Sequence, residues 1–173
     1  MTKKITFSGV FLALCIVLPF LTGQVPELGK VLCLMHIPVF LCGMVCGEKF
    51  GALVGGIAPI LRSLLFSMPV FFPNAILMSL ELLTYGLISG LVYKILKSKT
   101  KIHMVLCVII SLVISNIMGR IIYLIVFQVF LNLNFFDFGY TETFIGLFMA
   151  SWPGILLQIV LIPGIVKTIE LIN

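Results

Sequence analysis

HIPVFLCGMVCGEKFGALVGGIAPILRSLLFSMPVFFPNAILMSLELLTYGLISGLVY, residues 36–93, is almost wholly apolar, and glycine recurs in it at helical intervals. Apart from the Glu48–Lys49 pair, its only acidic, basic or imidazole side chains are His36, Arg62 and Glu81. Each sits where surrounding lipid makes it expensive, and an ionisable group in such a run is by default a candidate for function.

The remainder of the chain has the same character. It is 61% hydrophobic and 10% charged over 173 residues, too few polar side chains to cover a water-soluble globule of that size. A bilayer is the expected solvent. There is room for about six helices of the roughly 20 residues that cross a hydrocarbon core. The reading is an all-α integral membrane protein, a single membrane domain over residues 1–173, with helices at about 4–21, 31–46, 50–66, 75–96, 103–130 and 144–169.

Punctuation sets those limits. The run after Met-Thr-Lys-Lys lacks a small-x-small cleavage site, so the first helix is read as retained. Turn-rich Gly23–Lys30, the proline pair in Ser67–Asn74 and the polar stretch Asn132–Thr143 are expected as loops on one side. The Gly47–Lys49 turn and the Lys97–Lys101 run are expected on the other. Pro153 and Pro163 are expected to kink the last helix.

An even number of spans puts both termini on one face. Lys3, Lys4, Lys49, Lys94, Lys97, Lys99, Lys101 and Lys167 fall on that face and Lys30 alone opposite, so both termini are expected to be cytoplasmic. The net charge of +5 is therefore read as a topology signal and not as a nucleic-acid surface.

Helical rise then gives depth from the outer face: about 7 Å for Arg62, about 10 Å for Glu81, about 12 Å for Trp152 and about 15 Å for Arg120. His36 is expected near the outer mouth, Asn116 one turn below Arg120, and Gln158 past the middle. These seven residues are the candidate substrate-binding set, arranged as a cup open to the outside. Arg62 and Arg120 against Glu81 leave one surplus positive charge, which suits an anionic group. Alternatively, Arg62 and Glu81 neutralise each other and lock their helices, His36 caps a helix start, Trp152 fills the bundle, and Asn116 and Gln158 bond across helices.

Catalytic and metal signatures are lacking. Neither H-E-x-x-H nor G-x-S-x-G occurs, and no Walker glycine loop is present, so no catalytic residue, metal or cofactor is assigned and any ATP must be used by partner subunits. The five cysteines lie mostly inside apolar runs as small hydrophobes; Cys42 and Cys46 share a helical face, but no second ligand pair follows.

Gly9 and Ala13 form a small-xxx-small pair on the first helix, and Gly43, Gly47, Gly51 and Gly55 form a ladder through the second and third. With six spans at this length, these features resemble the substrate-binding S components of energy-coupling factor (ECF) vitamin transporters over nearly the whole chain. Many such proteins have proline after the second ladder glycine, where this chain has Glu48. The resemblance implies a multi-pass protein of a prokaryotic plasma membrane that captures a vitamin or related micronutrient outside. Gly9 and Ala13 would dock it on a transmembrane coupling protein served by two ABC ATPases, and loops 23–30 and 67–74 would close over the ligand. Arg120 would suit an anionic vitamin, pantothenate first; nicotinate, lipoate, a folate, a flavin or a queuosine precursor stay open. The competing readings are a self-sufficient secondary carrier or channel, dimeric through its glycines, and an intramembrane enzyme using Glu81 and His36.

Overall fold

The computed structural model describes residues 2–22, 32–99, 103–131 and 140–172, and among these every regular element is helical. Helix α1, Thr2–Val17, tightens into a 3-10 turn over Leu18–Thr22. The change falls at Pro19, whose ring takes one backbone donor from the ladder.

Helix α2 covers only His36–Cys46, beginning later than the expected Val31. Cys33 adopts φ 47, a left-handed value that interrupts a helix. The His36 and Ile37 amides donate to the Cys33 and Leu34 carbonyls at 3.0 and 3.3 Å, closing a tight turn into α2. Eleven residues rise about 16 Å, half a hydrocarbon core.

Gly47, at φ 107, joins α2 to helix α3, Glu48–Phe66. A side chain is strained at that angle, so glycine lets α3 begin one residue after α2 ends. Ser67 closes α3 in a left-handed conformation, its amide donating to the Ser63 carbonyl at 2.8 Å. Phe71–Ala75 make a wide turn, with extended backbone at Phe72 (φ −120, ψ 131), leading into helix α4, Ile76–Lys99. Lys97 and Lys99, expected in an aqueous loop, are helical.

Helix α5 is Met104–Leu131 and helix α6 is Tyr140–Ile172. α6 takes in Tyr140–Thr143, expected as loop, and continues as helix through Pro153 and Pro163. The expected loop 23–30, most of 132–143 and Lys101 lie outside the described residues.

Five of these helices are long and apolar enough to cross a membrane; α2 is apolar but short. The second helix was expected over about 31–46 and is shorter still, and packing supplies the reason. α2 touches α1, α3, α4 and α6, while α1–α3, α3–α4, α4–α5 and α5–α6 contacts surround it. Residues 36–44 are all buried. A helix apolar on every side belongs inside a bundle. Shielded by protein, α2 and the turn before it need not match the bilayer thickness.

Glycine permits the close crossing of α2, α3 and α4. A Cβ on Gly51 would lie 2.5 Å from the Gly43 Cα, and one on Gly90 would lie 2.5 Å from the Gly43 carbonyl oxygen. A Cβ on Gly86 would strike the Gly51 carbonyl. The ladder on α2 and α3 thus meets a second glycine pair on α4, and backbone packs on backbone.

Candidate functional site

Within this frame three long helices meet at one ion pair. Glu81 on α4 accepts from Arg120 on α5, Nη1 to Oε1 at 2.9 Å, and both side chains are over nine-tenths buried. The same Glu81 oxygen accepts from the Tyr85 hydroxyl at 2.7 Å, one turn along α4. Arg120 Nη2 donates to Ser151 Oγ on α6 at 2.9 Å. The carboxylate is held by two donors, and the guanidinium bridges two neighbouring helices. Charge-assisted bonds of this type are among the strongest available to side chains.

The pairing corrects one expectation. Glu81 is neutralised by Arg120 and not by Arg62. α4 lies between α3 and α5, so position along the chain leaves either arginine in contention, and the rotation of α4 turns Glu81 toward α5. Arg62 instead lies 5.7 Å beneath the Phe20 ring, a cation–π contact that ties the C-terminal part of α3 to the end of the 3-10 turn after α1. Phe20 in turn stacks edge-on against Phe66 at 4.9 Å. Arg62 is buried, its Nε has no hydrogen-bond partner, and among the described residues no carboxylate pairs with it. Among the described residues, the surplus positive charge of the three is therefore Arg62.

His36 occupies the first turn of α2, about 15 Å along the axis from the Gly47 turn, and is buried beside the tyrosine that bonds Glu81. Its ring is 5.2 Å from that of Tyr85, which also packs 5.1 Å from Phe40. It does not cap α2: both ring nitrogens are buried without a partner. Arg120 Nε is likewise unpartnered. Buried polar groups are nearly always satisfied, so these nitrogens around one ion pair, without a partner among the described residues, mark it as a candidate site.

One turn below Arg120, Asn116 donates to the Leu112 carbonyl at 2.9 Å and reaches Gln158 Oε1 at 3.4 Å, tying α5 to α6 beneath the ion pair. Trp152 is not part of the assembly. It is 58% exposed, because the helical turn that points Ser151 inward carries its neighbour out. The structure thus gathers His36, Glu81 and Arg120, sets Asn116 and Gln158 below them, places Arg62 toward α1, and leaves Trp152 on the outer surface.

Four residues escaped the sequence reading. Tyr85 stands four after Glu81, a spacing that puts both on one helical face and could have flagged it. Gln128 is buried with Nε2 unpartnered, two turns along α5 from Arg120 in the same four-residue series as Asn116. Ser151 had no local signal. Gly119 also had none: a Cβ there would come 2.5 Å from Tyr85 Cδ1, so its absence makes room for the ring.

Gly9 and Ala13 are exposed on α1, and nothing lies within 4 Å of where a Gly9 Cβ would stand. Unlike the interior glycines, this one is not used to pack the chain on itself.

Among known families, the one described as "ECF transporter, substrate-specific component" matches residues 3–169. Searches of curated proteins and of solved structures return no match.

Proposed function

Because the chain belongs to the substrate-specific components of ECF transporters, a family of transporter subunits, we propose that it captures a vitamin-like micronutrient from outside a prokaryotic cell. Uptake is then driven by ATP hydrolysis on partner subunits. The single observation carrying the location of the site is the buried Glu81–Arg120–Ser151 junction with His36 beside it. Buried ions inside a membrane bundle mark substrate pathways more often than they stabilise a fold.

Both termini are cytoplasmic in this reading, on the distribution of lysines. α2 completes the sixth crossing inside the ring of longer helices, together with the turn that precedes it. The Glu81–Arg120 pair then lies below the outer loops, and His36 forms its floor. An anionic group such as the carboxylate of pantothenate meets Arg62 more readily than Arg120, whose charge Glu81 already balances. The exposed Gly9–Ala13 face of α1 docks on the transmembrane coupling protein, where small residues let helices approach closely. This chain itself performs no catalysis and holds no cofactor.

Two measurements test the reading. Native mass spectrometry of the detergent-purified chain is expected to find a small organic molecule bound, lost from an Arg120→Gln variant and weakened in an Arg62→Gln variant, which leaves the Glu81–Arg120 pair intact. In proteoliposomes, uptake is expected only when the coupling protein, its two ATPases and ATP are present. Uptake by this chain alone under an ion gradient would replace this reading with a self-sufficient carrier.

A further inference from the structure

Among the described residues, the buried side-chain nitrogens and oxygens without a hydrogen-bond partner belong to His36, Arg62, Ser63, Arg120 and Gln128. None of these lies between the ion pair and the Gly47 turn. That half of the bundle buries polar groups too, and they are bonded: Ser89 to the Gly86 carbonyl, Ser111 to that of Cys107, Ser115 to that of Ser111 and Asn116 to that of Leu112. A bundle that satisfies its buried polar groups at one end and leaves them open at the other is short of partners where a ligand would supply them.

Contacts between helices fix the level of each group. Ser79 Oγ donates to the Gly56 carbonyl and sets α3 against α4, and the Glu81–Arg120 bond sets α4 against α5. α4 lies between the two and runs antiparallel to both. Arg62 is six residues past Gly56 and Gln128 is eight past Arg120, so both reach the level of the Phe71–Ala75 turn, on the two flanks of α4. Eight residues of helix rise about 12 Å, and that distance separates this second tier from the first, formed by His36 and Arg120 around Glu81. Arg62 and Gln128 are both buried, and the open atoms, Arg62 Nε and Gln128 Nε2, can only donate.

We propose that Gln128 is a specificity-determining residue, its side-chain amide donating to a carbonyl oxygen of the same molecule whose carboxylate Arg62 holds. On the reading of this end of the bundle as the substrate site, on which the proposal rests, the substrate narrows to an organic acid that carries a neutral carbonyl oxygen apart from its charged group. Arg62 is the charged anchor, because no carboxylate among the described residues pairs with it and a guanidinium binds one through charge-assisted bonds. Gln128 adds a donor without adding charge, which suits an amide oxygen. An acid lacking that oxygen leaves the buried amide unmet after binding, and a site built to hydrogen-bond a substrate group rejects the analogue without it. Pantothenate and folate have both groups; nicotinate and lipoate have the carboxylate alone.

The test titrates the full chain in detergent with pantothenate, folate, nicotinate and lipoate, reading affinity by calorimetry and stability by thermal unfolding. Pantothenate or folate is expected to bind at least about tenfold tighter than the other two acids. Gln128→Met, which keeps the side chain's length and removes its donor, is expected to weaken the tighter probe about five- to tenfold. With no probe present the same variant is expected to unfold no earlier than the parent, because an unmet donor has been removed. An earlier midpoint, or a variant that does not fold, shows that Gln128 has a structural partner and overturns the proposal. Equal affinity of parent and variant for the tighter probe overturns it, as does equal binding of all four acids or of none. If none binds, a small molecule of another class found on the purified chain by native mass spectrometry leaves the transport reading standing, whereas a chain that carries nothing and binds nothing removes both.

Discussion

Removing Glu81 while keeping Arg120 strands a guanidinium in the interior, and the size of the effect follows from the geometry. At 2.9 Å and an effective dielectric constant near 20, the pair attracts by about 6 kcal/mol, set against the cost of taking both ions out of water. Breaking one side of such a pair costs about 3–5 kcal/mol. For a chain of this length that is a fall of roughly 10 °C in the unfolding midpoint. Replacing both ions by apolar residues, Glu81→Leu with Arg120→Met, removes charge and partner together. The Tyr85 hydroxyl and Ser151 then lose a hydrogen bond each, about 1 kcal/mol apiece, so the double variant is expected within about 2 kcal/mol of the parent. All five cysteines are free and buried, so a thiol-reactive fluorophore added during a temperature ramp in detergent reads the midpoint directly. The double variant is also expected to lose the bound micronutrient despite its recovered stability. If the double variant unfolds as early as the two single losses added together, the residues are not coupled and the pairing argued here is wrong.

Gly86→Val is expected to abolish the folded species in fluorescence-detected size-exclusion chromatography, since its Cβ would strike the Gly51 carbonyl, whereas Gly9→Val, in open space, is expected to elute like the parent. Gly9→Leu with Ala13→Leu should leave thermal stability unchanged and still prevent copurification with an ECF coupling module; undiminished capture would move the docking face elsewhere. Trp152→Ala is expected to leave micronutrient affinity within about twofold, because the ring is 58% exposed and faces away from the ion pair; a tenfold loss would put it back in the site.

Much of this architecture was legible before any coordinates. Hydropathy, helix length and the placement of glycine and proline are local properties, and they located the helical segments to within a few residues in most cases. They failed for α2, where a left-handed Cys33 delays the helix, an event that no pattern of apolar residues announces. Tyr85 could have been read from its spacing to Glu81. Ser151 and Gly119 could not, because their importance lies in what faces them from another helix.

Lipid solvent and helical class were determined by the amino-acid sequence alone, since each depends on the transfer energy of residues taken one stretch at a time. Which arginine meets Glu81, that His36 is buried beside that pair, and that Trp152 turns outward were decided by tertiary structure. The rotation of each helix about its own axis is set by packing against its neighbours. In this chain it is the backbone contact among Gly43, Gly51 and Gly86 that brings α2, α3 and α4 to their closest approach.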